Sequence, residues 1–425
     1  MQRQRARAIV LIVCFILVPL ATRHALGASG RLAPAQYEEA LKAFIKEVDT
    51  TYPFFDLKGI RGDWKACRND LLAKVKHCRS NDDFYALLDE AARSLRDSHL
   101  GFRNLKGEMP QAEPRFYPGI SFLPAVNNQV VIMNSVLEYA DDLQPGTIVL
   151  EINGKNARQF LDEQAQEYWK AGGYFSSPQR ARLFVYRIPL QGEGERGESH
   201  RLTIMKGRRK LHGRVENKWE AKGWPHTYAM PPGLTHKGSC QYGKLESGCG
   251  YVYLRYLGQD LVESIDTALS SFENTAGLII DLRGNGGGGY DQEVFKRLNK
   301  KGGPADGLPF YAGDVVALID AGTMSAGETF ARDLVHFADA HLMGSPTAGS
   351  STAKRNWELP HNLGTVIFST RSRYGLNRQL IEYNGIVPDE MIEVVPSELQ
   401  QGINSGIRRA EEYLLKKAKQ SAGRQ

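Results

Sequence analysis

Ser325 has the best setting for nucleophilic chemistry in this sequence. It follows the apolar stretch Val315–Ile319 through a run of small residues, and an apolar helical pattern begins at Ala326. A serine at such a strand-to-helix junction lies at the edge of a sheet, beside unpaired helix N–H groups that favour developing negative charge. That setting suits attack on a carbonyl carbon. The alternative is structural: Ser325 caps the helix, and Glu328 completes a capping box.

A run of glycines gives the second chemical signal. Residues 277–282 predict a buried strand, and glycines occupy positions 284 and 286–289 directly after it. Glycines at such a place let backbone N–H groups approach a ligand closely. The run therefore predicts an anion site, for a phosphate or for the oxyanion of a tetrahedral intermediate. No Lys-Ser or Lys-Thr pair follows, which excludes a nucleotide P-loop, and the spacing differs from a dinucleotide fingerprint.

Four segments resemble, in order, the motifs of the tail-specific, or C-terminal processing, peptidase family, whose relatives include the core protease of tricorn. Residues 277–288 resemble its Leu-Arg-x-Asn-x-Gly-Gly signature, and residues 323–328 resemble its nucleophile motif. Residues 343–347 and 381–389 resemble the two later motifs, and residues 52–60 fit the helical region of tricorn-like members. The resemblance extends from about residue 36 to residue 415. It implies a serine peptidase.

The resemblance leaves the identity of the catalytic base open. Many members of the family pair the serine with a lysine 25 positions later, but Ser350 occupies that position here. The nearest lysine is Lys354, which is the alternative base. The tricorn-like branch implies instead a serine–histidine pair assisted by a glutamate. The matching positions are His99, preceded by Ser98, and Glu382.

The roles implied by this branch form a consistent mechanism. His99 takes the proton of Ser325 and returns it to the leaving amine. Glu382, directly or through Ser98, orients the imidazole and favours its charged form. The resemblance also implies an oxyanion hole. Its donors are the backbone N–H groups of Gly287 and Ala326, with Gly286 as the alternative to Gly287.

Residues 115–206 resemble a PDZ domain. A Pro-Gly turn, an apolar strand and an Asn-Gly turn at residues 145–154 predict a β-rich unit. The resemblance implies that a loop of N–H groups receives the terminal carboxylate of a peptide, which adds as a strand to the sheet edge. The alternative is a unit that gates or braces the active site. The loop consists of Gly119, Ile120, Ser121 and Phe122.

The elements that position these residues predict an α/β fold. Strands and helices alternate after residue 249, which favours a layered core. The resemblance implies a layered ββα-repeat core of the ClpP/crotonase-like kind, an inserted PDZ-like β-rich domain and an N-terminal helical bundle. The expected boundaries are a signal peptide at 1–27, a helical domain at 31–110, a PDZ-like domain at 115–206, a basic linker or insertion at 207–248 and the peptidase core at 249–420.

The amino terminus has the features of an export signal. Arg3, Arg5 and Arg7 precede an apolar run at residues 8–21, and small residues follow where a signal peptidase would cleave. The alternative is an uncleaved anchor, although the run is short for a membrane span. Loss of residues 1–27 lowers the formal net charge from +6 to +2, so no nucleic-acid partner is needed to explain it. We expect a periplasmic or extracellular protein without a stable membrane span.

Four cysteines remain after this cleavage, in two close pairs. An even number in an exported chain predicts two disulfides, Cys67–Cys78 and Cys240–Cys249. The alternative is four buried thiols. Neither pair has the short spacing of a zinc site.

The sequence thus predicts an exported serine endopeptidase that acts on protein or peptide substrates, recognised near their C-termini, without a metal or an organic cofactor. The alternative from another class is a catalytically silent binding protein on the same scaffold, because the family lysine is missing. A third hypothesis gives residues 206–239, which are basic and aromatic, a role in substrate or polyanion contact rather than that of a solvated linker. The sequence does not predict the oligomeric state.

Overall fold

A computed structural model describes residues 32–104, 115–139, 141–190, 195–221, 228–303 and 307–422. The predicted signal segment lies outside these residues. Within them, no helix combines the length and apolarity that crossing a membrane requires. The same residues contain no cluster of His, Cys, Asp and Glu side chains arranged to hold a metal ion.

The described residues form a mixed α/β structure, as the sequence predicts. The helices are α1 (Pro34–Thr51), α2 (Phe55–Lys58), α3 (Arg61–Lys74), α4 (Asn81–Ser94), α5 (Ala157–Lys170), α6 (Pro178–Arg187), α7 (Leu261–Ser270), α8 (Ala326–Ala338), α9 (Pro396–Gln400) and α10 (Ser405–Ala422). The strands are β1 (Gly101–Arg103), β2 (Phe116–Tyr117), β3 (Ile120–Ala125), β4 (Gln129–Ser135), β5 (Ile148–Ile152), β6 (Lys155–Asn156), β7 (Ser199–Lys206), β8 (Arg209–Glu216), β9 (Trp219–Glu220), β10 (Thr235–Lys237), β11 (Cys240–Lys244), β12 (Gly250–Leu254), β13 (Leu278–Asp281), β14 (Val315–Ile319), β15 (His341–Gly344), β16 (Thr352–Glu358), β17 (Thr365–Ser372) and β18 (Glu390–Met391).

The amino-terminal helices pack on a small sheet that joins distant parts of the chain. Helices α1, α3 and α4 bury their apolar faces together, with Phe44 stacked on Phe368 of β17. The sheet has the order β1-β17-β16. In its register Gly101 lies opposite Ile367. This pairing places the end of the helical region beside residues 350–372.

Residues 115–220 fold mainly around an antiparallel sheet of the order β3-β4-β5-β7-β8, with β6 paired to β5. Helices α5 and α6 cover its apolar face, where Phe122, Ile132 and Leu161 are buried together with side chains of α6. Strand β3 is one edge of this sheet and β8 is the other edge. The ribbon of β2 and β9 pairs Tyr117 with Trp219.

The carboxy-terminal half is built on a sheet of the order β10-β11-β12-β13-β14-β15-β18. The strands from β12 onwards are parallel. Helices α7 and α8 cover one face and α10 covers the other, so the buried strands read as continuous apolar runs. The carboxyl ends of β13 and β14 carry the two loops that the sequence singled out, which therefore lie side by side.

Some predicted elements differ from the structure. Residues Gln292–Arg297, which follow the glycine run, form only a short 3-10 helix. The segment 207–248, expected as a linker or insertion, contains β8, β10 and β11, all paired in sheets. Strand β8 is exposed at nearly every position. It therefore lacks the alternation of apolar and polar residues that predicts a half-buried strand.

The two predicted disulfides are wrong, because all four cysteines are free thiols. Cys240 lies opposite Leu254 at one end of the β11–β12 hairpin, whereas Cys249 lies at the turn end. The separation of about five strand positions exceeds what a disulfide can bridge. Cys67 and Cys78 are separated by the rest of α3 and a 3-10 turn, again too far along one helical path.

Candidate active site

Ser325 lies on a sharp turn between β14 and α8. Its φ of +55° and ψ of −124° belong to a region that residues other than glycine rarely adopt. The Ser325 side chain makes no capping hydrogen bond. The Glu328 carboxylate accepts hydrogen bonds from the Thr347 hydroxyl and from two backbone N–H groups of the next loop. The capping-box alternative is therefore wrong, and the Ser325 hydroxyl faces other partners.

His99 is the ring that faces this hydroxyl. His99 Nε2 lies 3.2 Å from Ser325 Oγ. The histidine follows the end of α4, where its backbone N–H donates to the buried carboxylate of Asp97. Strand β1 begins two residues later and pairs with β17, which fixes the histidine between the helices and the small sheet. The structure thus brings together two side chains that the sequence separates widely.

Three serine hydroxyls lie behind the second ring nitrogen. Ser350 Oγ is 3.2 Å from His99 Nδ1. It is hydrogen-bonded in turn to Ser98 Oγ, which lies 2.9 Å from Ser176 Oγ. If Nε2 accepts the Ser325 proton, Nδ1 carries the ring hydrogen and donates it to Ser350. The hydroxyl chain then selects the tautomer that a general base needs.

Glu382 reaches this group from the far end of the chain. Its side chain interacts with that of Ser176. One carboxylate oxygen pairs with the buried Lys58 Nζ at 2.8 Å, and the other accepts the Ser351 N–H at 3.2 Å. Burial raises the pKa of Glu382 to about 7, while Lys58 opposes that change. Glu382 is thus joined to His99 through serine hydroxyls rather than by a direct hydrogen bond.

Sequence reasoning identified Ser98 but missed Ser350 and Ser176 as members of the hydroxyl chain. The available signal was the position of Ser350, where many members of the resembled family carry a lysine. Ser176 precedes α6 in a segment without a recognisable motif. Lys354, the alternative base, lies on β16, and the described residues show no hydrogen bond from it to Ser325.

The electrostatic setting keeps the imidazole neutral. Burial is the largest influence and lowers the pKa of His99 below its ordinary value of 6.5. The positive charges of Lys354 and Lys58 act in the same direction, whereas Asp97 opposes them. A neutral ring at neutral pH can accept a proton, which is the state that activation of an alcohol requires.

The two predicted oxyanion donors lie next to Ser325 but differ in availability. A Cβ on Gly287 would fall 2.7 Å from the Ser325 Cβ, so only glycine fits there. The Gly287 N–H donates to Asn285 Oδ1 at 2.9 Å, and the alternative donor, Gly286 N–H, donates to a backbone carbonyl. The Ala326 N–H, by contrast, has no hydrogen-bond partner among the described residues. One donor is therefore free and the other is engaged.

Two models of known protein families match separate parts of this chain. Residues 290–392 match the model of peptidase family S41, and residues 33–92 match that of the tricorn protease C1 domain. The chain is a serine-type peptidase.

Solved structures with the same fold cover nearly the whole of this peptidase. Mature CPAF complexed with lactacystin is 14% identical with a TM-score of 0.61, and the match covers 92% of this chain and 98% of that one. A proposed peptidase from Parabacteroides merdae is 18% identical with a TM-score of 0.52, covering 90% and 97%. At these identities the likeness concerns the fold.

The predicted carboxylate-binding loop of this peptidase is buried. Gly119, Ile120, Ser121 and Phe122 are all shielded from solvent. Gly119 has a φ of +71°, and a Cβ at that position would fall 2.6 Å from the Trp219 side chain. Helix α6 packs against β3, the edge strand that would receive a peptide. Gly119 thus precedes β3, to which the other three residues belong, and the surface of all four is covered.

Helix α6 also holds the loops around Ser325. The Ser177 hydroxyl at its start donates to the Ala348 carbonyl. One turn further, the Arg180 guanidinium donates to the Ala321 carbonyl at 2.9 Å. The same helix thus contacts the edge strand β3 and two loops of the active site.

Proposed function

We propose that this serine peptidase is an exported endopeptidase that cleaves protein or peptide substrates through an acyl-enzyme formed on Ser325. The observation that carries the proposal is the distance of 3.2 Å between Ser325 Oγ and His99 Nε2. A neutral imidazole at this distance can take the hydroxyl proton as the oxygen attacks. Lys354, the other candidate base, has no such contact among the described side chains.

The steps follow from the positions of the side chains. His99 Nε2 accepts the Ser325 proton while Oγ attacks the substrate carbonyl carbon. His99 then donates that proton to the nitrogen of the leaving amine, and the C–N bond breaks. Water, activated by the same nitrogen, releases the acyl group. The Ser350 hydroxyl holds Nδ1–H throughout, and the chain through Ser98 leads to Glu382, which stabilises the transient imidazolium.

The oxyanion of the tetrahedral intermediate needs donors beside Ser325. The Ala326 N–H is in place at the start of α8, where the helix also favours negative charge. The Gly287 N–H becomes the second donor when it leaves Asn285 for the substrate oxygen. Loss of one such donor typically costs about 10²–10³ in kcat.

A Ser325→Ala variant tests the proposal. We expect the variant to lose turnover of an unstructured protein and labelling by a fluorophosphonate, with unchanged circular dichroism. The wild-type enzyme should be labelled at Ser325, because only an activated serine reacts. Cleavage of the substrate by Ser325→Ala would show that another residue is the nucleophile.

Recognition of substrate tails by the PDZ-like unit belongs to the same proposal. The motivation is the backbone of Gly119, which precedes the edge strand β3, and of the first three residues of that strand. Capture of a C-terminal carboxylate there requires displacement of the Trp219 side chain and of the neighbouring α6. Because α6 also contacts the loops beside Ser325, tail binding and catalysis would be coupled.

A catalytically silent binding protein is the second candidate function. The observation that favours it is the engagement of Gly287 N–H by Asn285 Oδ1, which leaves one oxyanion donor occupied. Fluorophosphonate labelling separates the two candidates. A wild-type chain that remains unlabelled while it binds peptides would establish the binding protein.

A further inference from the structure

The β7–β8 hairpin presents a free edge in a different sheet from β14, the strand that leads to Ser325. Strand β8 is the last strand of its sheet. Strands β7 and β8 are joined by a two-residue turn with Gly207 at a φ of +60°. Lys206 and Arg209 close this turn as a pair. In a hairpin of this type the closing pair is joined by backbone hydrogen bonds. The next pair along the strands is not, and the two kinds of pair then alternate.

This register decides which backbone groups of β8 point outward. The pairs of Lys210, His212 and Arg214 with β7 are the alternate, non-hydrogen-bonded ones. The N–H and C=O groups of these three residues therefore point away from β7. No described strand pairs with that side of β8. Such an edge is a ready template for one more strand.

The side chains around this edge are strongly basic. Arg201 and Arg214 lie directly opposite each other, an arrangement of like charges that is unfavourable unless an anion lies between them. Few acidic side chains lie near this edge, and they have other partners. The Glu151 carboxylate accepts the Thr203 hydroxyl, and the Glu216 carboxylate lies 3.5 Å from Lys218 Nζ. Five basic residues have no ion-pair partner among the described residues: Arg201, Arg208, Arg209, Lys210 and Arg214.

The opposite face of the same edge is apolar and recessed. A pocket of about 240 Å³ opens beneath β8, with Tyr139 and Leu143 on its far side. A Cβ on Gly213 would meet no atom within 4 Å, so this glycine leaves an open notch in the strand. Leu211 is 39% exposed at the rim. The Asp142 carboxylate at the pocket is paired with Lys206 at 3.1 Å.

We propose that β8 is a docking edge for an extended acidic segment of a protein substrate, in which acidic and apolar side chains alternate. The segment adds antiparallel or parallel to β8 through the outward backbone groups. Its alternate side chains point to opposite faces. One set enters the notch over Gly213, and the other set lies against Arg201, Lys210 and Arg214. The role as a substrate rests on the proposed peptidase function, but binding to the edge does not.

A polyanion such as a sulfated polysaccharide fits these features less well. It would use the basic side chains, but it has neither amide groups for the free edge nor apolar side chains for the notch. The period of two residues is a property of a polypeptide strand. The geometry therefore favours a peptide.

The test measures binding of labelled peptides to the full chain carrying Ser325→Ala, so that no cleavage occurs. The probe matches the eight residues of β8 in length and alternates Glu with Leu. A second probe carries N-methyl groups on alternate amides, which removes strand pairing but keeps the charge. We expect fluorescence anisotropy to show a Kd for the N-methylated probe that is at least about tenfold weaker.

Variants of β8 locate the site. Gly213→Val places its Cβ in open space and suits a strand, so the variant should fold and should weaken binding about tenfold. Arg209→Glu with Lys210→Glu should weaken binding about tenfold and reduce its salt dependence. The matched control is Lys416→Glu with Lys419→Glu on the exposed end of α10, which makes the same change in net charge.

The outcomes separate the possibilities. Equal binding of the N-methylated probe, or competition by heparin together with insensitivity to Gly213→Val, would show a simple polyanion patch and overturn the proposal. Equal weakening by the α10 control would do the same. Binding that follows the expected pattern while wild-type enzyme cleaves no protein would leave the docking edge intact and contradict the peptidase function instead.

Discussion

Two regions of this peptidase were expected to meet substrate, and their surroundings differ. The Ser325 hydroxyl lies within hydrogen-bond reach of His99 and remains partly exposed. Residues 119–122 are buried, with Trp219 against Gly119 and α6 against β3. Both regions contain a residue with positive φ. In the first, this backbone turns the side chain of the candidate nucleophile outward; in the second, it makes room for a covering ring.

These two regions show what a motif specifies and what it does not. A glycine or a strained serine fixes the local backbone, because few residues adopt positive φ without cost. Access to that backbone depends on side chains that come from other parts of the chain. For Ser325 those partners are His99 and Ser350, which leave the hydroxyl available. For Gly119 the partner is Trp219, which covers it.

The largest expected effect concerns the closeness of the two catalytic loops. Gly287→Ala places a methyl group about 2.7 Å from the Ser325 Cβ, at a φ of +92°. We expect kcat to fall by about 10²–10³, the usual result of losing an oxyanion donor, together with a lower unfolding temperature, because the methyl group is crowded and its backbone strained. The control is Gly286→Ala, whose Cβ would meet no atom within 4 Å. Wild-type activity in both variants would show that this glycine run does not line the reacting atoms.

Much of the catalytic half was predictable, because its strands are buried on both faces. The run Val315–Ile319 is apolar at every position and is a strand with those bounds. The turn at Ser325 follows from the small residues between that strand and Ser325. The strand β8 was missed because backbone pairing with β7, rather than burial of its side chains, forms it. The two disulfide predictions were wrong for a related reason. Residues that are close in sequence can be too far apart in space for a disulfide when a hairpin or a helix separates them.

The hydroxyl chain was only partly predictable. Ser98 was found because it stands next to His99. Ser176 contacts Ser98 across 78 residues, and Ser350 does so across 252. Serines are frequent, and nothing in their local sequence marks these two. Only the packing of α6 and of the loop before β16 against the end of α4 brings the three hydroxyls together.

The next effect concerns the group behind the imidazole. Ser350→Ala removes the acceptor of His99 Nδ1–H and interrupts the path to Glu382. We expect kcat to fall about 10²-fold with KM nearly unchanged, because the ring loses its orientation rather than a substrate contact. Ser351→Ala is the matched control, since its hydroxyl donates only to the Ser325 carbonyl, at 3.3 Å. An unchanged kcat for Ser350→Ala would exclude Ser350 as a positioning residue.

A smaller effect concerns the pH dependence of the enzyme. Activity needs neutral His99, so kcat/KM falls as the pH drops through the pKa of this residue. Since that pKa is lowered, the acid limb should lie below pH 6.5. Lys354→Met removes a positive charge that lowers the pKa of His99, so the acid limb should move to higher pH while the maximum changes only a few-fold. Complete loss of turnover in Lys354→Met would instead make Lys354 the base.

The smallest effect concerns the covered region. Trp219→Ala removes the ring over Gly119 and should raise the fraction of molecules in which residues 119–122 are accessible. Apparent affinity scales with that fraction, so we expect a peptide with a free C-terminal carboxylate to bind about twofold more tightly. An amidated peptide should gain nothing. Tyr374→Ala, at a site that is 62% exposed, is the control. An equal gain for the amidated peptide would mean that Trp219 covers an apolar surface and not a carboxylate site.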